Sequence, residues 1–149
     1  MSRGGALSRI SRSVLIARPV APVFDLINEV EAYPQLFDWC REATLIERDE
    51  HSLTARLDLQ YAGFNAAFTT RNRIDRPHSI ELQLVEGPFS ELRGSWTFTA
   101  LGDKGCRVEL ELDFDFAGRW VGSALAIGFQ GLADRMVDDF SRAARAIDA

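Results

Sequence analysis

Cys106-Arg-Val-Glu-Leu-Glu-Leu-Asp-Phe-Asp-Phe116 alternates along its whole length. Cys106, Val108, Leu110, Leu112, Phe114 and Phe116 face one way; Arg107, Glu109, Glu111, Asp113 and Asp115 face the other. A period of two over such a run is a strand with one buried and one wet face, and sheets built that way are antiparallel. After Gly118 the period changes. Leu125, Phe129, Leu132, Met136, Phe140 and Ala144 recur every three or four residues, with Ile147 near the end. That spacing predicts a long amphipathic helix, the only long apolar stripe able to cover the sheet.

Upstream, the same two-residue period recurs between turn signals. Leu92, Gly94, Trp96 and Phe98 oppose Arg93, Ser95, Thr97 and Thr99, and Gly102-Asp-Lys-Gly105 turns the chain into the last strand. Ile80 to Leu84, Phe64 to Ile74 and Leu53 to Tyr61 are further strands, separated by Gly87-Pro88, Arg76-Pro-His78 and Gly63. Cys40 to Glu47 is apolar enough for one more. Pro19 and Pro22 end a first strand that starts at Ile10 and open a helix carrying Val23, Phe24, Leu26, Ile27 and Val30. Tyr33-Pro34 breaks that helix and starts a short second one through Phe37. The expected fold class is α+β: a curved seven-stranded antiparallel sheet wrapped around a C-terminal helix, in the order β-α-α-β6-α. Residues 1–7 are expected to be disordered and 8–149 to form a single domain.

The chain has 149 residues, 46% hydrophobic and 26% charged, an ordinary globular balance for one domain. Two distant cysteines exclude a disulfide scaffold and fit a reducing compartment. A net charge of −5 disfavours a general electrostatic hold on nucleic acid, and DNA is not an expected partner. The longest uncharged run, Trp120 to Ala133, is shorter than the ~18 to 20 residues of a membrane span. The beginning of the chain has no apolar core of a signal peptide, so cytoplasmic residence is expected.

Catalytic constellations are missing from the pattern. His51 and His78 lie in separate turns without ligand spacing, so no metal site is expected. The Glu109, Glu111, Asp113 and Asp115 carboxylates occupy the wet face, available to Arg93 and other cross-strand cations rather than to acid–base work. Cys106 is on the buried side, where a thiol packs. Ligand binding fares better. The inward set is rich in large side chains, and Thr70 and Asn72 add polar groups to that face. The helix carries Gly122, Gly128 and Gly131 at a cost of ~1 kcal/mol each relative to alanine. Either close helix-to-sheet packing or room for a ligand would offset that cost.

The order of elements and several strings resemble one superfamily. The strings are Asn28-Glu-Val-Glu-Ala-Tyr33-Pro34-Gln-Leu-Phe37, Phe68-Thr-Thr-Arg-Asn72, Val85-Glu-Gly87-Pro88-Phe89, Leu92-x-Gly94-x-Trp96-x-Phe98 and Asp113-Phe-Asp-Phe116. Together they resemble the START-like (SRPBCC) helix-grip superfamily, in its coenzyme Q-binding and ribosome-association toxin branch, also labelled polyketide cyclase-like. The resemblance implies a lipid-sized cavity, no cofactor, and binding of ubiquinone or another isoprenoid quinone in support of respiration. It implies, as an alternative, association with the large ribosomal subunit that blocks subunit joining. A cyclase or aromatase activity is a further alternative, for which the inward face offers no ionisable group.

These implications assign roles. Phe68, Leu84, Trp96, Phe98, Phe114, Leu125, Phe129 and Met136 would form the apolar walls, and Thr70 and Asn72 would bond the carbonyls of a head group. Tyr33, Phe37 and Phe89 would guard the entrance. A pocket of roughly 300 to 1,000 Å³ would take a quinone head and a few isoprene units. The tail would then emerge, or the protein would meet its ligand at a membrane surface, with Arg3, Arg9, Arg12 and Arg18 facing anionic lipid. Arg71, Arg73 and Arg76 are the densest patch for a ribosome contact.

Overall fold

Seven antiparallel strands follow the order β1-β7-β6-β5-β4-β3-β2, so every strand from β2 to β7 lies beside its sequence neighbour. The computed structural model describes residues 7–117 and 122–147. Of the stretch expected to be disordered, only Leu7 is among them. The strands are β1 (Ser8–Ile16), β2 (Cys40–Arg48), β3 (Ser52–Tyr61), β4 (Phe64–Asp75), β5 (Ser79–Glu86), β6 (Phe89–Ala100) and β7 (Cys106–Phe116). Short hairpins force this meander. β1 closes it by pairing with β7, from Ser8 opposite Phe114 to Ile16 opposite Cys106.

α1 (Val20–Asn28) and α2 (Tyr33–Leu36) follow β1, joined by a 3-10 turn at Val30–Ala32 that periodicity alone does not reveal. Pro22 sits in the first turn of α1, where a missing N–H costs nothing. α3 (Gly122–Arg145) lies across the inner face, and Phe129, Leu132, Ala133, Val137, Phe140 and Ala144 are its buried stripe. The chain therefore has the α+β helix-grip architecture.

Two glycines shape the sheet. A Cβ at Gly94 would lie 2.1 Å from the Glu111 carbonyl oxygen and 2.9 Å from the Leu112 Cα, so only glycine lets β6 approach β7 there. Gly87, at φ +154°, turns β5 into β6 with its Cα against Phe68, whose Cβ would be 2.5 Å from an added methyl.

Large rings fill the space between sheet and helix. Tyr33, Phe37, Trp39 and Phe140 form one cluster with Trp96 on its edge. Phe64, Phe89, Phe114, Phe116 and Phe129 form another, joined by Phe68 through Phe89. Phe24 and Phe98 make a separate edge-to-face pair.

Candidate functional site

Between the two ring clusters the interior leaves a cavity of about 80 Å³. Tyr33 and Trp96 line it from one cluster and Phe68 and Phe129 from the other, with aliphatic groups such as Leu57, Leu82 and Met136 between them. The space is well below the roughly 300 to 1,000 Å³ expected for a ligand pocket. The reason is packing: the two ring clusters fill most of the space between sheet and helix.

Phe68, Thr70, Asn72, Trp96, Phe129 and Met136 do line the cavity. Four expected wall residues lie elsewhere. Phe98 packs on Phe24, and Phe114 lies against Phe89, Phe116 and Phe129. Leu84 sits beside the Gly87 bend, and Leu125 is half-buried one turn before Phe129. The expected entrance residues differ more. Tyr33, Phe37 and Phe89 are each at most 5% exposed and belong to the ring clusters, so none forms a rim. Aromatic side chains in short helices and hairpins look accessible in sequence; here the α1–α2 segment folds inward over the helix.

Four residues with polar side-chain groups, Asn28, Tyr33, Thr70 and Asn72, are among the lining. The Tyr33 hydroxyl donates to the Ile27 carbonyl, and burial pushes its phenol pKa well above the ordinary range. Thr70 Oγ1 donates to Asn72 Oδ1 at 2.9 Å, so its hydrogen is not free for the carbonyl of a head group. Asn28 Oδ1 is buried without a hydrogen-bond partner. Asn28 was legible only as part of the quoted string; its place at the end of α1 turns it inward. Among the described residues, no carboxylate, histidine or lysine lines this space. The thiols offer no nucleophile: burial pushes Cys40 up to about 11 and raises Cys106 as well. Among the described residues, no three metal-ligating side chains gather.

The outer face of the sheet carries a second concavity, an open trough of about 680 Å³. Strand register builds it. Thr54, Arg71, Gln83, Arg93, Asp113 and Arg9 form one transverse row; Ser52, Arg73, Glu81, Ser95, Glu111 and Ser11 form the next. Small residues at Ser52, Gly94 and Ser95 keep the floor low. Arg93 pairs with Glu91 rather than with a β7 acid, and Asp113 takes a two-pronged bond from Arg9, which holds its carboxyl below the usual range. Arg71 and Arg73 are exposed and make no ion pair among the described residues.

Arg76 does not join that patch. Its guanidinium grips the Asp25 carboxylate at 2.7 and 2.8 Å, tying the β4–β5 turn to α1. The N-terminal arginines are likewise engaged: Arg9 with Asp113, Arg12 with Asp134, and Arg18 with the carbonyls of Arg145 and Ile147. Arg3 lies outside the described residues. A set of free cations facing anionic lipid is therefore absent from Arg9, Arg12 and Arg18. Among the described residues, no helix is long and apolar enough to cross a membrane.

The family described as polyketide cyclase / dehydrase and lipid transport matches residues 16–141. The chain is 40% identical to the ribosome association toxin RatA of Pseudomonas aeruginosa, over 93% of this chain and 96% of that protein. It is 36% identical to RatA of Escherichia coli K12, over 95% of this chain and 89% of that one. Among solved structures, the Zhui aromatase/cyclase from a Streptomyces species superposes with a TM-score of 0.82 at 18% identity, over 93% of this chain and 94% of that one. That likeness concerns the fold.

Proposed function

The chain belongs to the polyketide cyclase / dehydrase and lipid transport family, in the RatA branch of the START-like helix-grip proteins, and from that premise we propose that it is a ribosome-associating binding protein rather than an enzyme. The observation that carries this reading is the outer trough with two uncommitted arginines. Arg71 and Arg73 stand two residues apart on one face of β4, in a concavity spanning five strands, β3 to β7. Guanidinium groups of that kind suit phosphate oxygens, which they can bond with two parallel N–H groups. The overall charge of −5 opposes broad RNA affinity, so the contact is local and directed. The partner is the large ribosomal subunit in the cytoplasm, and occupation of its surface blocks joining to the small subunit. The names borne by relatives over nearly the whole chain, which speak of ribosome association without naming a subunit, support the ribosome as partner.

Sedimentation of purified protein with isolated large subunits tests this. The wild type should travel with the subunit and reduce formation of joined ribosomes. The double variant Arg71→Glu/Arg73→Glu should do neither. Undiminished co-sedimentation of that variant would reject the trough as the contact.

A second reading is supported by the inner cavity: a mostly apolar space with a few polar lining residues, inside a fold whose family includes lipid transport. In this reading the protein also holds a hydrophobic molecule, an isoprenoid quinone or one of similar character. At about 80 Å³ the space takes only part of such a molecule until side chains move. Met136 is the lining group with the most freedom to do so. Organic extraction followed by mass spectrometry tests it; recovery of no apolar compound, together with no uptake of added quinone, excludes it.

A further inference from the structure

Resting on the ribosome reading, we infer that the outer trough takes a single strand of RNA in preference to an RNA duplex, with the phosphates on β4 and the unpaired bases toward β7. The arrangement of uncommitted charge decides this. Arg71 and Arg73 on β4, Glu81 on β5 and Glu111 on β7 are all exposed, and none makes an ion pair among the described residues. Asp113 and Arg93 add no net charge, since Arg9 holds the first and Glu91 the second. The Glu111 carboxylate also feels Arg9, but the two-pronged bond of that guanidinium goes to Asp113. Arg73, Glu81, Ser95 and Glu111 follow one another across four strands in one transverse row. Positive charge therefore stands on β4. Negative charge begins on the next strand and ends about 14 Å away at Glu111, for strands about 4.8 Å apart. Arg71 and Arg73 are two strand rises apart, about 6.8 Å, the scale on which successive phosphates follow one another along an extended strand.

A duplex carries phosphates on two backbones. Seated across the trough, it brings one row to the arginines and the other against Glu81 and Glu111, and like charges so placed oppose binding. A single strand has one backbone, and the amino and imino hydrogens of its bases are not consumed by pairing. Carboxylates accept from such hydrogens, and the low floor at Gly94 and Ser95 leaves room for bases above it. A plain patch of cations would choose the other way, because a duplex has the denser phosphate charge. Among the described residues, the lining carries no phenyl, phenol or indole ring, so the choice rests on charge and hydrogen bonds rather than on stacking.

The test uses a labelled RNA strand of about twelve nucleotides, alone and annealed to its complement, with full-length protein at low salt. Fluorescence anisotropy gives the two affinities, and co-sedimentation with isolated large subunits is measured on the same preparations. The single strand should bind at least about tenfold more tightly than the duplex. In Glu81→Gln/Glu111→Gln the duplex should gain until the two lie within about threefold, and in Arg71→Glu/Arg73→Glu both should be lost. Equal affinities, or a preference for the duplex, in the wild type overturn the inference, while co-sedimentation that depends on Arg71 and Arg73 leaves the ribosome reading standing. A preference for the single strand that survives undiminished in Glu81→Gln/Glu111→Gln removes the carboxylates as its cause and overturns the inference as stated. Binding of neither RNA at high micromolar protein, with co-sedimentation intact, assigns the trough to a ribosomal protein and also overturns it. Loss of RNA binding and co-sedimentation alike in the wild type overturns the inference and the ribosome reading together.

Discussion

The indole N–H of Trp39 donates to the Asp139 carboxylate at 3.0 Å, joining two residues a hundred positions apart. The same carboxylate receives Arg135 at 2.9 Å and Arg142 at 2.6 Å from its own helix. Trp39 is almost wholly buried and lies in the turn just before β2, so the bond pins the end of the α1–α2 segment to α3. That segment supplies Ile27, Asn28, Val30 and Tyr33 to the cavity lining. The fold's one buried carboxylate among the described residues thus holds the roof of the inner space.

Asp139→Asn should lower stability by about 2 kcal/mol at pH 7, the scale for losing hydrogen bonds to a charged group. Burial raises the Asp139 carboxyl, but the bonds from Arg135, Arg142 and Trp39 together outweigh it and hold the group below its ordinary value. Its folded pKa is therefore depressed. The stability it contributes is present above the unfolded value of about 3.9 and is lost as pH falls from there through the folded value. Urea unfolding should separate wild type and variant at pH 7 and bring them together near pH 3. An equal gap at both would remove the ionised carboxylate as the cause.

The strand and helix pattern was readable because the sheet has one wet face: the alternation in β7 and the stripe on α3 state directly which side is covered. What the covered side contains was not readable. The cavity volume depends on how Phe37 stacks on Trp39 and Phe89 on Phe116, and rotamers of that kind have no period in the chain. Pairing of charges was equally hidden. Arg71, Arg73 and Arg76 look like one patch along β4, yet Asp25, fifty-one positions away, engages the last of them. Asn28 drew attention only within a longer string, because an acceptor lacking a donor is a property of its surroundings.

Gly94→Ala should cost at least about 3 kcal/mol, the upper range for overpacking, because the clash is with the β7 backbone, which cannot rotate away. Gly105→Ala is the control. An added methyl there approaches Ile16 and Leu101 carbonyl oxygens at 3.6 Å, an ordinary contact, and should change stability by under about 0.5 kcal/mol. Thermal unfolding of the two variants checks the contrast. Similar melting temperatures would contradict the close approach of β6 and β7.

Salt dependence distinguishes phosphate contacts from other surfaces. Each arginine that neutralises a phosphate contributes about one unit to the slope of log affinity against log salt. Arg71→Ala/Arg73→Ala should reduce the slope for large-subunit binding by about two. Arg76→Ala, which breaks a pair on the exposed Asp25, should leave it unchanged and affect stability little, as a solvent-screened surface pair does. A reduced slope in Arg76→Ala alone would move the contact to the β4–β5 turn.

The glycines of α3 separate the two accounts of their cost. Neither Gly128 nor Gly131 lines the cavity, so neither makes room for its contents. Gly122 lies at the start of α3, where the surroundings of the side-chain position are outside the described residues. A Cβ at Gly128 would meet the Phe64 Cβ at 3.2 Å and its ring at 3.4 Å, so this glycine serves close helix-to-sheet packing. At Gly131 the nearest atom is a ring carbon of Tyr61 at 3.9 Å, which leaves space for a methyl. Gly131→Ala should therefore stabilise the fold by about 0.5 to 1 kcal/mol through helix propensity and a less free unfolded chain. Gly128→Ala gains the same propensity but must push the Phe64 ring, which stacks on Phe129, so its net gain should be smaller or negative. Chemical denaturation of both variants gives the comparison. A larger gain at Gly128 than at Gly131 would mean that Phe64 yields freely and that α3 is not held against β4 by this contact.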